Sequence, residues 1–242
     1  MIRAYFNWSG GKDSALALWS VATDKKFSIE YLLTSMNRFH DRVSMHGVRR
    51  ELVVAQAASL DIPLITLELP EQPDMREYET AVMGQVNWLK EKGITYSVFG
   101  DIFLEDLRKY REEKLAKAGI SCLFPLWKKD TNQLIDAFID QGFKAVVVCV
   151  NEKDLDKSFC GREIDKDFCM DLPGTVDPCG ENGEFHTFVY DGPIFKTPVS
   201  FKKGDVVYKT YSAPKQSAGD SNRAEETYGF HFCDLYLAHN ND

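Results

Sequence analysis

The six cysteines of this chain (Cys122, Cys149, Cys160, Cys169, Cys179 and Cys233) include no Cys-x-x-Cys pair and no Cys/His spacing that would hold zinc. Reduced, mostly buried thiols are the expectation. No run approaches the ~20 uninterrupted apolar residues of a membrane span. No basic-then-apolar leader precedes the glycine-bearing stretch at residue 9, which makes a cytoplasmic protein the expectation. Gly-x-Ser-x-Gly and His-Glu-x-x-His are both missing, and His40, His231 and His239 have no sequence neighbours that suggest a metal site or a triad. Internal repeats and low-complexity tracts are absent too. What remains is 242 residues, 44% hydrophobic and 27% charged, an ordinary globular composition long enough for one large or two small domains.

Positive charge is scarce in one half. Net charge is −8, and residues 1–121 carry 16 Lys and Arg against 17 Asp and Glu, whereas residues 122–242 carry 13 against 20. An acidic second half is a poor surface for a polyphosphate backbone, so a tRNA partner is disfavoured. An acidic pI and exposed aromatics permit a homodimer without implying one.

The stretch that organises the chain is Ser9-Gly10-Gly11-Lys12-Asp13-Ser14. It follows the apolar run at 4–8 and precedes a helical pattern at 15–19. A strand, a glycine turn and a helix N-terminus form an anion site, because backbone N–H groups converge where the helix dipole favours negative charge. The two glycines let backbone approach an oxygen cluster closely. Lys12 adds a mobile cation, and the Ser9 and Ser14 hydroxyls can donate to phosphate. Asp13 could cap the helix or hold Mg²⁺. The spacing is neither Gly-x-x-x-x-Gly-Lys-Ser/Thr nor Gly-x-Gly-x-x-Gly. It resembles, at all six positions, the PP-loop of the N-type ATP pyrophosphatases. That resemblance implies ATP cleaved between its α and β phosphates.

Short strands alternate with helices through the first half: strands over 2–8, 29–34, 64–69 and 96–99, helices over 13–23, 48–61, 78–89 and 107–115. The stretch 35–46 is too irregular for a helix of its own, and Pro70 and Pro73 mark a loop. This alternation predicts an α/β fold, a parallel Rossmann-like sheet with helices on both faces. Ligands in such sheets lie beyond the strand carboxyl ends, where the glycine turn and Gly100-Asp101 both fall. Asp101 could hold Mg²⁺ or cap the next helix. His46 and Arg49 would open the second helix near the same edge, where either could touch phosphate.

The run 122–127, with Phe124, Pro125 and Trp127, reads as a hinge whose aromatics pack across the boundary. It divides the chain into an ATP-binding domain at 1–121 and a smaller α+β substrate-binding domain at 122–242. Asp130 and Gln133 look like a capping box for a helix closed by Gly142, followed by a strand over 143–150. Short strands at 188–190, 206–210 and 228–237 follow, with a polar loop at 212–226.

Gly180-Glu181-Asn182-Gly183-Glu184-Phe185-His186-Thr187 is the second informative stretch. Its two carboxylates sit on a tight turn, where close acids can hold a cation, bind an amine or share a proton. Taken with the PP-loop, Gly100-Asp101-Ile102 and the Phe-Pro-Leu-Trp hinge, this turn resembles the diphthine–ammonia ligase family over roughly residues 1–200. The resemblance implies an N-terminal domain that binds ATP and a C-terminal domain that supplies much of the acceptor pocket. It also implies amidation of the diphthine carboxylate by ammonia. Asn182 and His186 stand where the family's turn commonly has glycine and glutamate, which changes charge and proton chemistry in the pocket. The family's long members carry further C-terminal domains, which are not expected here.

The expected activity is an ATP-dependent, adenylating carboxylate–ammonia ligase using Mg²⁺. In it Ser9, Gly10, Gly11, Lys12, Asp13, Ser14, His46, Gly100 and Asp101 bind the nucleotide, and Asp13 and Asp101 hold the metal. Lys12 stabilises transition-state charge, Glu181 and Glu184 position or deprotonate the amine, and His186 carries a proton. No glutaminase segment is evident, so free ammonia or a separate donor is expected. Two other readings stay open: a non-catalytic ATP or AMP sensor, and a PP-loop transferase acting on tRNA. Several sulfur-inserting members of the latter group use cysteine pairs, which are missing here.

Overall fold

The first strand buries both of its faces. In a computed structural model, which describes residues 1–44, 46–71, 74–212 and 227–238, β1 (Ile2–Asn7) sends Ala4 and Phe6 into one apolar cluster and Tyr5 into another. A strand apolar on both sides must lie inside a sheet covered by helices on both faces. α1 (Lys12–Asp24) and β2 (Phe27–Asn37) follow, then the two-residue β3 (Arg42–Val43), α2 (Arg50–Leu60) and β4 (Leu64–Leu69). α3 (Met75–Glu91), β5 (Tyr96–Val98), α4 (Glu105–Lys117) and β6 (Ser121–Leu123) complete the first unit. Leu16 of α1 and Leu52 of α2 join the cluster of Ala4 and Phe6, whereas Leu89 of α3 and Leu115 of α4 join that of Tyr5. The helices therefore sort to opposite faces.

The parallel strands lie in the order β4-β2-β1-β5-β6, with β3 a short antiparallel addition to β2. The chain winds outward from β1 through β2 to β4, then crosses over to build β5 and β6. That reversal opens a crevice beyond the carboxyl ends of β1 and β5.

Two sequence expectations shift here. β2 runs three residues beyond the expected end, and the second helix begins at Arg50 rather than Val48. A local hairpin takes the intervening residues. Val43 N–H donates to the Val48 carbonyl at 2.8 Å, and Gly47 N–H to that of Val43 at 3.0 Å. His46 therefore sits in a turn before the helix, and Arg49 is its N-cap.

The second unit comprises α5 (Thr131–Asp140), β7 (Lys144–Asn151), α6 (Lys166–Asp171), β8 (Phe185–Asp191), β9 (Phe201–Ser212) and β10 (Thr227–Leu237). Its sheet is antiparallel throughout, in the order β8-β7-β10-β9. Asp130 caps α5 by accepting from Gln133 N–H at 3.0 Å. One cluster continues from the α1/α2 face of the first sheet into this one, joining Phe6 and Leu52 to Phe138, Val148 and Phe188. The hinge aromatics do not bridge the halves. Phe124 stacks on Phe99 at 5.2 Å, and Arg108 lies against Phe124 and Trp127 at 4.9 and 4.5 Å, all on the first unit. Pro73, His239 and positions 213–226 of the polar loop lie outside the described residues. Among the described residues no helix is long and apolar enough to cross a membrane.

Asp234 of β10 fastens the hairpin before α2. It accepts from Arg42 at 2.8 and 3.1 Å and from Arg49 at 3.1 and 2.6 Å. Burial works to raise its pKa, but the two guanidinium groups hold it well below the carboxylate range. Its contribution is present at neutral pH and lost as pH falls through that depressed value. Asp234→Ala leaves two guanidinium groups unpaired and is expected to cost about 2 kcal/mol, a fall of roughly 4–8 °C in Tm for a chain of this size, read by thermal unfolding at pH 7.

Candidate functional site

The glycine turn is shaped from three sides. Gly10 has φ +82°, the left-handed region, and a Cβ there would come within 2.8 Å of Gln56 Oε1. Its carbonyl accepts from Gln56 Nε2 at 3.0 Å and from Val189 N–H of β8 at 2.9 Å. Gln56 is wholly buried, with its second Nε2 bond to the Val189 carbonyl at 2.6 Å and its Oε1 accepting from Trp8 Nε1 at 2.9 Å. One amide side chain on α2 thus pins the end of β1, the turn and β8. Gln56→Leu takes the amide partner from Trp8 Nε1 and the Val189 carbonyl, while the Gly10 carbonyl keeps the Val189 N–H; it is expected to cost about 2–4 kcal/mol, read by denaturant unfolding.

Beyond the turn, Gly11 is the N-cap of α1 and no side chain caps it, so Asp13 does not take that role. Ser9 and Ser14 hydroxyls share a hydrogen bond of 2.8 Å, and Lys12 N–H donates to Thr187 Oγ1 of β8 at 3.0 Å. Gly100 packs on the same helix end, where a Cβ would meet Asp13 C and Ser14 N at 3.1 Å. The two glycine motifs therefore do come together.

Lys12 is not the mobile cation that the sequence suggests. Its side chain is 3% exposed. Nζ donates to the Asp13 carboxylate at 2.7 and 2.9 Å and to the Cys179 carbonyl. A buried ammonium needs such partners. Burial is the strongest influence and opposes its charge, but Asp13, Cys179 and Glu181 together overcome it and keep the ammonium ionised.

The two acids of the second stretch do different things. Glu184, 3% exposed, accepts from Asp177 N–H at 3.0 Å, Asn182 N–H at 2.8 Å and Asn182 Nδ2 at 2.9 Å. Burial opposes its charge, and those hydrogen bonds bring its pKa below the usual value. Its carboxylate shapes the turn. Glu181 instead lines the cavity, and burial, with the Asp13 charge adding to it, pushes its carboxyl up to about 7.

His46 and His186 face each other with ring centroids 4.7 Å apart. Burial lowers His46 to about 4 and His186 to about 3, with Lys12 and, for His186, the neighbouring ring adding to the effect. Both are neutral at pH 7. His46 Nδ1 lies 3.4 Å from the Thr187 carbonyl, so it is Nδ1 that carries the proton.

Asp101 pairs with Arg111 of α4, whose guanidinium lies 4.4 Å from the Phe99 ring centroid. The helix N-cap there is Leu104, not Asp101. Arg49 turns away to Asp234 and Tyr236. Both carboxylates expected to hold Mg²⁺, Asp13 and Asp101, are thus engaged by cations. Among the described residues no group of three or more His, Cys, Asp or Glu could hold a metal ion.

Ser9, Lys12, Asp13, Ser14, His46, Gly100, Asp101, Arg111, Glu181, His186 and Thr187 line one cavity of about 1050 Å³, whereas Gly10, Gly11, Arg49, Gln56 and Glu184 lie outside its lining. Its charged end is built from the turn, Lys12, Glu181 and the histidine pair. Its apolar end, with Leu67, Tyr78, Met83, Leu107 and Tyr110, reaches between α3 and α4. Sequence reasoning missed Gln56, Thr187 and Arg111. Gln56 left a trace, as a polar residue on the apolar face of Leu52, Val53 and Ala57. Thr187 closes the second motif. Arg111 left none.

Residues 2–121 match the family of the diphthamide synthase N-terminal domain, and residues 130–213 that of the diphthamide synthase C-terminal domain. Among curated proteins, the diphthine–ammonia ligase of Schizosaccharomyces pombe is 32% identical over 223 residues, covering 82% of this chain and 36% of that protein. The diphthine–ammonia ligase of Bos taurus is 28% identical over 131 residues, 52% of this chain and 48% of that protein. That of Danio rerio is 28% identical over 161 residues, 61% and 63% respectively. The chain spans less than two thirds of the length of each of these relatives.

Proposed function

The chain belongs to the diphthamide synthase family, and from that premise we propose that it is an ATP-dependent ligase that joins ammonia to a carboxylate, forming AMP and pyrophosphate. The observation that carries this reading is the meeting of the two motifs in one cavity: Lys12 N–H on Thr187, and Lys12 Nζ on the Cys179 carbonyl. A strand–turn–helix anion cradle and an acidic turn with a proton-accepting group lie side by side, as a two-step amidation requires.

In the first step a carboxylate oxygen of the acceptor attacks the α phosphorus, the bond to the β-phosphate bridging oxygen breaks, and pyrophosphate leaves. The cradle amides and the fixed Lys12 ammonium meet the charge that grows on the phosphates. In the second step the amine nitrogen attacks the acyl carbon and AMP leaves. Glu181, with a pKa near 7, is suited to take the proton that the attacking nitrogen must shed. Glu184 holds the turn in place, and the neutral His46 and His186, too weakly basic to take a proton at pH 7, serve beside it as hydrogen-bonding groups.

Mg²⁺ usually reaches such sites on the phosphates with one or two carboxylates. Asp13 and Asp101 would be those carboxylates. As they stand, Lys12 pairs with the first and Arg111 with the second.

The division at 121/122 into an ATP-binding and an acceptor-binding part belongs to this proposal. The acceptor is a carboxylate-bearing small molecule or protein side chain. The relatives are named for diphthine and ammonia. His186 in place of glutamate removes one acid from the acceptor end relative to the family's common turn, and Asn182 adds an amide, so a different acceptor fits this reading.

Titration calorimetry with ATP tests the cradle. The wild-type chain is expected to bind ATP, and Gly100→Val to weaken binding at least tenfold, because its side chain would press on the Ser14 amide. No binding by the wild type, or equal binding by both, would contradict it.

A further inference from the structure

Thr187 lies in the second unit, 175 residues from Lys12, yet its side chain touches the glycine turn. It is 2% exposed, and a Cβ on Gly11 would lie 3.2 Å from its carbonyl and 3.4 Å from its hydroxyl. The hydroxyl accepts the Lys12 N–H at 3.0 Å. The carbonyl accepts from His46 Nδ1, 3.4 Å away. A threonine hydroxyl that has accepted an amide still holds one proton to donate. Among the described residues its hydrogen bond is the one it accepts from the Lys12 amide, which leaves that proton available. The residue lines the cavity beside Ser9, Lys12 and Ser14.

A buried donor at a cavity wall, polarised by the amide behind it, calls for an oxygen in front of it. The neighbouring groups fix what kind. The Lys12 ammonium, the helix N-terminus and the Ser9 and Ser14 hydroxyls all favour an anionic oxygen.

We propose that Thr187 donates its hydroxyl proton to a phosphate oxygen of the bound nucleotide, so that β8 completes the anion cradle begun by the glycine turn. The Lys12 amide then acts on the phosphate through this hydroxyl rather than directly. The second unit becomes part of the nucleotide site as well as the acceptor site. Phosphate binding and the docking of β8 on the turn are consequently linked: whatever occupies the cradle tightens the contact of Thr187 with Lys12 and of Val189 with Gly10. The inference rests on the ATP reading above.

Three full-length proteins test it: wild type, Thr187→Val, which keeps shape but loses the hydroxyl, and Thr187→Ser, which restores it. Calorimetric affinity for ATP and for inorganic pyrophosphate is measured at fixed salt, alongside the unliganded Tm of each. The expected result is a loss of roughly ten- to a hundredfold in ATP affinity for Thr187→Val, the size of one charge-assisted hydrogen bond, with Thr187→Ser within about threefold of wild type. A purely structural threonine would lower the Tm of Thr187→Val while leaving ligand affinity unchanged, and that result overturns the proposal. So does failure of Thr187→Ser to restore binding. If the wild-type chain binds neither ATP nor pyrophosphate, the ATP reading falls first and this inference with it. Wild-type ATP binding with an indifferent Thr187→Val removes the inference alone.

Discussion

Glu181→Gln is expected to lower acceptor-dependent amide formation by about 10²–10⁴ while making the folded chain more stable above pH 7. Both effects come from one carboxyl group. Burial and the Asp13 charge raise its pKa to about 7. The folded protein therefore favours the neutral acid over the carboxylate. The sign follows from that difference: stability is fully present below the unfolded value of about 4.5 and is lost as pH rises through about 7. Glutamine keeps the neutral shape without the titration. The variant should match wild type in Tm near pH 4.5 and gain about 1–2 kcal/mol by pH 8, a figure already discounted because the group is partly exposed. The rate profile should change with it. Wild-type activity is expected to climb through pH 7 as Glu181 loses its proton, and Glu181→Gln should lose that limb. A variant with an unaltered pH profile would remove Glu181 from the role of base.

Lys12→Ala is expected to slow pyrophosphate release by about ten- to a hundredfold or more, from the loss of a charge-assisted hydrogen bond of roughly 1.5–3 kcal/mol. A second effect separates it from a simple loss of binding. Lys12 is the cation that sits between Asp13 and the Cys179 carbonyl, and its charge lowers the pKa of Glu181. Without it, two carboxylates face one another in a largely buried site. The limb of the pH–rate profile that Glu181 sets should then move to higher pH, and stability should fall more at pH 8 than at pH 5. Wild-type turnover in Lys12→Ala, or an unmoved limb, would contradict the assignment.

Much of this was legible because local chemistry dictated it. Ser9 to Ser14 could be placed after a strand and before a helix from glycine content and apolar runs. The sheet class followed from alternating short strands and helices, and Gly100 fell at a strand end by the same logic. What could not be read were long-range contacts. Nothing near Gln56 in sequence says that its amide will bridge Trp8, Gly10 and Val189, residues up to 133 positions away.

The split between Glu181 and Glu184 was equally hidden. Two acids three apart on a turn look alike until the backbone N–H groups of Asp177 and Asn182 claim one of them. The partners of Asp101 and Lys12 were hidden for a shared reason. Sequence shows a charge but not its counter-charge, and here Arg111 and Asp13 supply one for each. Apolar spacing starts the second helix at Val48, whereas the hydrogen bond from Val43 N–H to the Val48 carbonyl places that residue in a hairpin.

The reaction expected of this chain splits ATP between its α and β phosphates on behalf of a carboxylate. The most direct measurement incubates the protein with ATP, Mg²⁺ and ammonium, adding fractions of extract from its source, and separates the nucleotide and phosphate products. AMP and pyrophosphate formed one-for-one, only in fractions that hold the acceptor and with no ADP, is the predicted result. ADP with inorganic phosphate would contradict it, and so would tight ATP binding with no pyrophosphate from any fraction.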